Sequence, residues 1–136
     1  MNEDREVSKK KIEVSLDNST IKIVHNSAGE THEEKVALIE EVASDVLSIL
    51  NKDTQKNYDV IVDFVPLGKK GVFLPSGARS MAALMMSNKQ IKKWAVVSKT
   101  KIMKVTLGFV SKLAGKKNTK WFSDKEKALQ WIKAKA

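Results

Sequence analysis

From Tyr58 to Arg79 the chain reads YDVIVDFVPLGKKGVFLPSGAR: a short apolar strand, a loop punctuated by proline and glycine, then the first turn of a helix. Val60, Ile61, Val62, Phe64 and Val65 leave almost no polar position in the run, the pattern of a strand covered on both faces. The strand is expected over Tyr58–Val65, closed by Pro66 and Gly68, with Gly71, Pro75 and Gly77 shaping the loop that follows. In open α/β sheets, ligands and partners are met at the carboxyl ends of the strands. The stretch therefore points to a place for function without naming a reaction.

On either side of it the pattern alternates. Residues 1–10 are polar and are expected to be a flexible N-terminal segment, with one domain over residues 11–136. Lys11–Leu16 alternates apolar and polar residues, Asp17-Asn18-Ser19-Thr20 is a turn cluster, and Ile21–His25 alternates again, which predicts an antiparallel hairpin. Thr31 and Glu34 form a capping box ahead of a helix to about Leu50, with Val36, Ile39, Val42, Ala43, Val46 and Leu50 on one stripe. After the central strand come a helix over Ser76–Ser87, a strand over Trp94–Ser98, a helix over Lys101–Ala114 and a short strand over Thr119–Phe122. Ser123 and Glu126 supply a second capping box before the last helix. The order β-β-α-β-α-β-α-β-α predicts a single-domain α/β sandwich, with a mixed, mostly parallel sheet of about five strands flanked by helices.

Composition excludes several classes. No apolar run approaches the roughly 20 residues of a spanning helix, and the charged start MNEDREVSKKK has no apolar segment behind it, so a cytoplasmic protein is expected. Without cysteine there is no disulfide, thiolate metal site or cysteine nucleophile. Charge is divided unevenly: residues 1–65 carry 8 Lys/Arg against 14 Asp/Glu, and residues 66–136 carry 17 against 2. The basic half suits an acidic partner, a phosphate-bearing ligand, anionic lipid or nucleic acid, although scattered lysines also serve simply as a solvated coat.

Ser76, between Pro75 and Gly77 at a helix start, suits a phosphate or serves as a plain N-cap; both readings are open on the sequence. Asp63 at the strand end resembles the phosphoacceptor of response-regulator receivers, but Asp17 and Asn18 lie in a hairpin turn rather than forming the acidic pair such domains need, so a structural aspartate is expected. In the helix over 101–114 apolar residues span an arc of about 200°, twice the width of a single buried stripe. Its surplus face is assigned to Met103, Leu107 and Val110, which line a ligand pocket, meet a partner, touch a membrane or are simply buried. Met81, Met85 and Met86 add adaptable apolar surface. The histidines, His25 and His32, lack metal-ligand spacing, no Walker loop or catalytic triad is readable, and the aromatics do not form a nucleic-acid platform. Neither catalysis nor nucleic acid is expected, and no cofactor or metal is implied.

Three segments together resemble the STAS superfamily, and within it the SpoIIAA-like (STAS/SEC14-like) branch. They are Val60-Ile61-Val62-Asp63-Phe64 leading to Ser76-Gly77-Ala78-Arg79; Ile91-Lys92-Lys93-Trp94-Ala95-Val96-Val97; and the ending from Thr119 through Trp121-Phe122-Ser123-Asp124 to Ala128-Leu129 and Trp131-Ile132. The resemblance implies a non-catalytic regulatory or binding module. Antagonists of anti-sigma factors in that superfamily are switched by phosphorylation of a serine at the position of Ser76, which is followed here by Gly77 but preceded by Leu74-Pro75 instead of an acid and a serine. It makes Ser76 and Gly77 candidate phosphoacceptor or anion-binding residues, with Lys69, Lys70, Gly71 and Arg79 as a partner-binding loop. The SEC14-like side implies an alternative, a carrier or sensor of a small amphiphile, with Met81, Met85, Met103, Leu107 and Phe109 around its tail and Lys99 or Lys101 near an anionic head. Expected partners are thus a protein or a small amphiphilic ligand, with peripheral contact to an anionic membrane as a further option.

Overall fold

The computed structural model describes residues 11–27, 29–70 and 75–134. The N-terminal segment over 1–10 and Gly71 lie outside the described residues, as does the side chain of Lys70. Five strands form one sheet in sequential order, β1 (Ile12–Asp17), β2 (Thr20–His25), β3 (Tyr58–Asp63), β4 (Ile91–Val97) and β5 (Thr119–Phe122). β1 and β2 are an antiparallel hairpin in which Ile12 faces His25 and Asp17 faces Thr20, and the remaining pairs are parallel. Asn18 makes the turn in the left-handed region at φ 56°, which a short amide side chain tolerates well. The predicted α/β order and mostly parallel sheet are those observed.

Helices α1 (His32–Lys52), α2 (Ser76–Met86) and α3 (Ile102–Ala114) connect successive parallel strands. Because the sheet grows in one direction, crossovers of one hand leave all three on the same face. Ile21, Ile23, Val60, Val62 and Val96 fill the core beneath them. α4 (Lys125–Lys133) follows β5 onto the opposite face, where Ala128 and Ile132 cover Ile61, Ala95 and Val97. β3 is thus covered on both sides, as its continuous apolar run requires. α2 packs chiefly against α1 and α3 and bridges them above the sheet.

Local chemistry fixes the boundaries. Thr31 Oγ1 accepts from the Glu34 amide at 3.0 Å and Glu34 Oε1 accepts from the Thr31 amide at 3.1 Å, completing the expected capping box. The second box is corrected: Asp124 caps α4, accepting from the Glu126 amide at 2.9 Å, because its carboxylate is one residue nearer the helix than the Ser123 hydroxyl. β3 ends at Asp63, two residues before the expected Val65. Asp63 Oδ1 accepts from the Val65 amide at 2.8 Å and folds the chain into a 3-10 turn over Val65–Lys70, broken at Gly68 with φ 66°. Asp63 is buried, with Lys125 Nζ 3.6 Å from its other oxygen, a structural arrangement.

β4 begins three residues earlier than the apolar run suggests. A bulge between the pairs Tyr58–Ile91 and Val60–Trp94 inserts one extra residue, so Ile91 and Trp94 share the helix-covered face although three apart. Lys93 then points toward α4, donates to the carbonyls of Trp131 (2.8 Å) and Ala134 (2.6 Å), and lies over the Trp131 ring. A cation at a helix C-terminus is favoured by the helix dipole, and here it pins α4 to the sheet.

Candidate functional site

At the start of α2, Pro75 occupies the cap position, and Ser76 is the first helical residue with no capping hydrogen bond from a side chain. The plain N-cap reading of Ser76 therefore does not hold: proline's fixed φ suits the approach, and the serine hydroxyl is left free of a capping role. Ser76 and Gly77 are exposed. The first turn contains no acidic residue of its own to offset the partial positive charge of its unpaired amides, and Arg79 adds a formal charge one turn in. Lys69 is exposed on the 3-10 segment. Whether it joins Gly71 and Arg79 in one loop surface lies outside the described residues.

The third helix is phased differently from the expectation. Met103, Leu107 and Val110 are core residues, whereas Ile102 is 55% exposed, Val105 62%, Phe109 59% and Leu113 65%. The width of the apolar arc was right; the surplus lies on the other edge, because the sheet takes the 103–107–110 edge and no described element covers the 102–105–109–113 edge. Lys101, Lys104 and Lys112 border the uncovered stripe, and Lys99 is exposed just before the helix. Between α2 and α3 a shallow groove is lined by Ser76, Arg79, Ser80, Phe109, Lys112 and Leu113. Leu84, 73% exposed, continues the apolar surface along α2. The Ser76 helix end and Phe109, assigned to separate functions on sequence grounds, thus share one face.

Behind this face is a cavity of about 60 Å³ between the sheet and the three helices. Met85, Met103 and Leu107 line it together with Met86 and Thr106. Met81 and Phe109 stand apart from it: Met81 lines a groove between α1 and α2 beside Leu47, and Phe109 the outer groove. Lys99 and Lys101 do not line it either.

One lining residue was passed over in the sequence. His25 is 4% exposed, stacks on Phe64 with ring centroids 4.3 Å apart, and makes no hydrogen bond through either ring nitrogen among the described residues. Burial pushes its pKa down to about 4, so the ring is neutral near pH 7. The signal was present: His25 is in phase with Ile21 and Ile23 on an alternating strand, which places it on the buried face. Trp121 Nε1, on β5, by contrast donates to Ser98 Oγ at 2.8 Å.

Among the described residues no three His, Cys, Asp or Glu side chains are grouped to hold a metal ion. No helix there is long and apolar enough to cross a membrane. A mixed five-stranded sheet, three crossover helices on one face and a last helix on the other, with an exposed apolar-basic helix face over a small cavity, make up an α/β domain of the STAS class. The chain belongs to the SpoIIAA-like family, whose family model matches residues 11–133. Comparison with curated proteins and with solved structures gave no match. STAS domains generally act without catalysis, as regulatory modules that engage protein partners.

Proposed function

We propose that this protein is a regulatory module that docks an acidic, amphipathic protein segment on the outer face of α2 and α3. The observation that carries this reading is the uncovered stripe Ile102–Val105–Phe109–Leu113, rimmed by basic residues and sharing a groove with Ser76 and Arg79. Contiguous apolar surface of this kind on a small domain marks an interaction site, and the basic rim selects an acidic complement. Phosphorylation of Ser76 would place a doubly charged group at the edge of the groove, beside Arg79, and change the charge the partner meets. The test is a photoreactive side chain at position 105, with cross-links read by mass spectrometry. A discrete protein adduct, reduced at least tenfold by Ser76→Asp, is expected. An adduct untouched by Ser76→Asp would remove the phosphoswitch and keep the docking face; adducts to lipid alone would turn the reading toward an anionic membrane.

The cavity favours a second reading, a carrier or sensor of a small lipid-like molecule. Its support is the chamber itself, apolar and roofed by methionine side chains that adapt to irregular shapes. Native and denaturing mass spectra of the purified protein test it: a non-covalent adduct lost on denaturation is expected, and a bare mass in both leaves this reading without support.

A further inference from the structure

We infer that the cavity beneath α2 is a site for an uncharged organic molecule bearing one hydrogen-bonding group, a hydroxyl or a carbonyl, whose polar atom is held by the His25 imidazole. This rests on the second reading above and names the ligand class it leaves open. Among the lining side chains only His25, Thr106 and Trp94 carry nitrogen or oxygen, and the Thr106 hydroxyl is already committed, donating to the Ile102 carbonyl at 3.2 Å. Among the described residues His25 is a buried polar side chain on the wall with no partner for its donor or its acceptor, and the Trp94 indole N–H, a donor only, has none either. Buried polar groups are nearly always paired, so an unpaired one facing a cavity marks a partner that comes and goes. A residue needed only to fill the space after Ile21 and Ile23 would be another branched apolar side chain, as the same strand face supplies elsewhere.

Charge narrows the class. A neutral imidazole offers one donor and one acceptor but no counter-charge, and no described lysine or arginine lines the chamber. A carboxylate or phosphate there would be a buried, uncompensated ion, which a low-dielectric wall rejects. The anionic head placed near Lys99 or Lys101 on sequence grounds therefore does not belong to this cavity. Size narrows it further. At about 60 Å³ the chamber is smaller than the roughly 150 Å³ that admits benzene in an engineered apolar cavity. Met85, Met86 and Met103 on α2 and α3 have the torsional freedom to widen it for one ring or a short branched chain.

Phenol, benzene and benzoate separate the contributions, titrated into the full chain with 15N-labelled histidine and followed by NMR and calorimetry. Phenol is expected to bind roughly tenfold more tightly than benzene, to shift the His25 ring nitrogens, and to lose that advantage in His25→Phe. Benzoate is expected not to compete. Equal affinity for phenol and benzene with unmoved His25 resonances would overturn the role of His25 and leave an apolar cavity. Competition by benzoate equal to that of phenol would overturn the uncharged class. No binding of any of the three up to millimolar concentration would overturn this inference and the carrier reading together. Should His25→Phe fail to fold, the His25 nitrogen shifts in the unaltered protein decide the question alone.

Discussion

A buried imidazole without a partner costs the fold about 1–3 kcal/mol for each unmet polar group, and it also makes stability depend on pH. His25 has a pKa of about 4 in the folded chain against 6.5 for the ordinary side chain. Between those values the unfolded chain binds a proton that the folded one refuses, so stability rises with pH across that window and is lost as pH falls from about 6.5 toward 4. The shift corresponds to about 3 kcal/mol at full extent. Urea unfolding at pH 7 and at pH 5 should show roughly half of that loss, and His25→Phe should flatten the difference; an unchanged pH slope in the variant would assign it to other groups. Below about pH 4.5 a second loss is added by Glu34, held under its ordinary value by the Thr31 and Glu30 amides and by Lys11, because protonation weakens the hydrogen bonds its carboxylate accepts in the α1 capping box. The burial of His25 was readable from its phase with Ile21 and Ile23. Its lack of a partner was not, since partners are set by which helices arrive overhead.

Among the elements, α3 shows what periodicity can and cannot deliver. The spacing of Met103, Leu107 and Val110 against Ile102, Val105, Phe109 and Leu113 gives two apolar edges, and nothing in the helix itself says which one the sheet takes. The same limit applied to β4, whose first turn toward α4 is made by Lys93, a residue that reads as solvent-facing until Trp131 is placed beneath it. By contrast, the hairpin, the Thr31 cap, the α2 start and the β5 strand were legible because each is decided within a few neighbouring residues. Of the candidate site, Ser76, Gly77, Met85, Met103 and Leu107 could be pointed to in the sequence, whereas the division between outer groove and inner cavity needed three dimensions. α3 also carries a glycine in its middle. Gly108 is exposed, and a Cβ built there meets nothing within 4 Å. Gly108→Ala should therefore stabilise the fold by about 0.5–1 kcal/mol by reducing the freedom of the unfolded chain, raising the melting temperature by about 2–4 °C. A lower melting temperature would mean that α3 uses the glycine to bend or to approach something closely.

Across the whole molecule the charges are not matched to one another. Three ion pairs occur among the described residues: Lys11–Glu34, Lys22–Asp17 and Lys125–Asp63. Two of them use lysines of the acidic half, so Lys125 alone among the described lysines of the basic half forms an ion pair with a carboxylate. With a formal net charge of +9 the folded chain confines mutual repulsion that the expanded unfolded chain relieves. Added salt acts on both contributions. It weakens the few exposed pairs, each worth under about 1 kcal/mol, and it shortens the reach of repulsion among many cations, from about 20 Å at 0.02 M to about 6 Å at 0.3 M. Numbers favour the second effect. The melting temperature should therefore climb by about 2–5 °C over that range of sodium chloride, the equivalent of roughly 1 kcal/mol for a domain of this size. A flat or falling curve would show that the basic half is already neutralised by contacts within the chain. A rising one would mean that the lysines around α2 and α3 stand unspent in the free protein, at a cost in stability that an acidic partner seated on that face would remove.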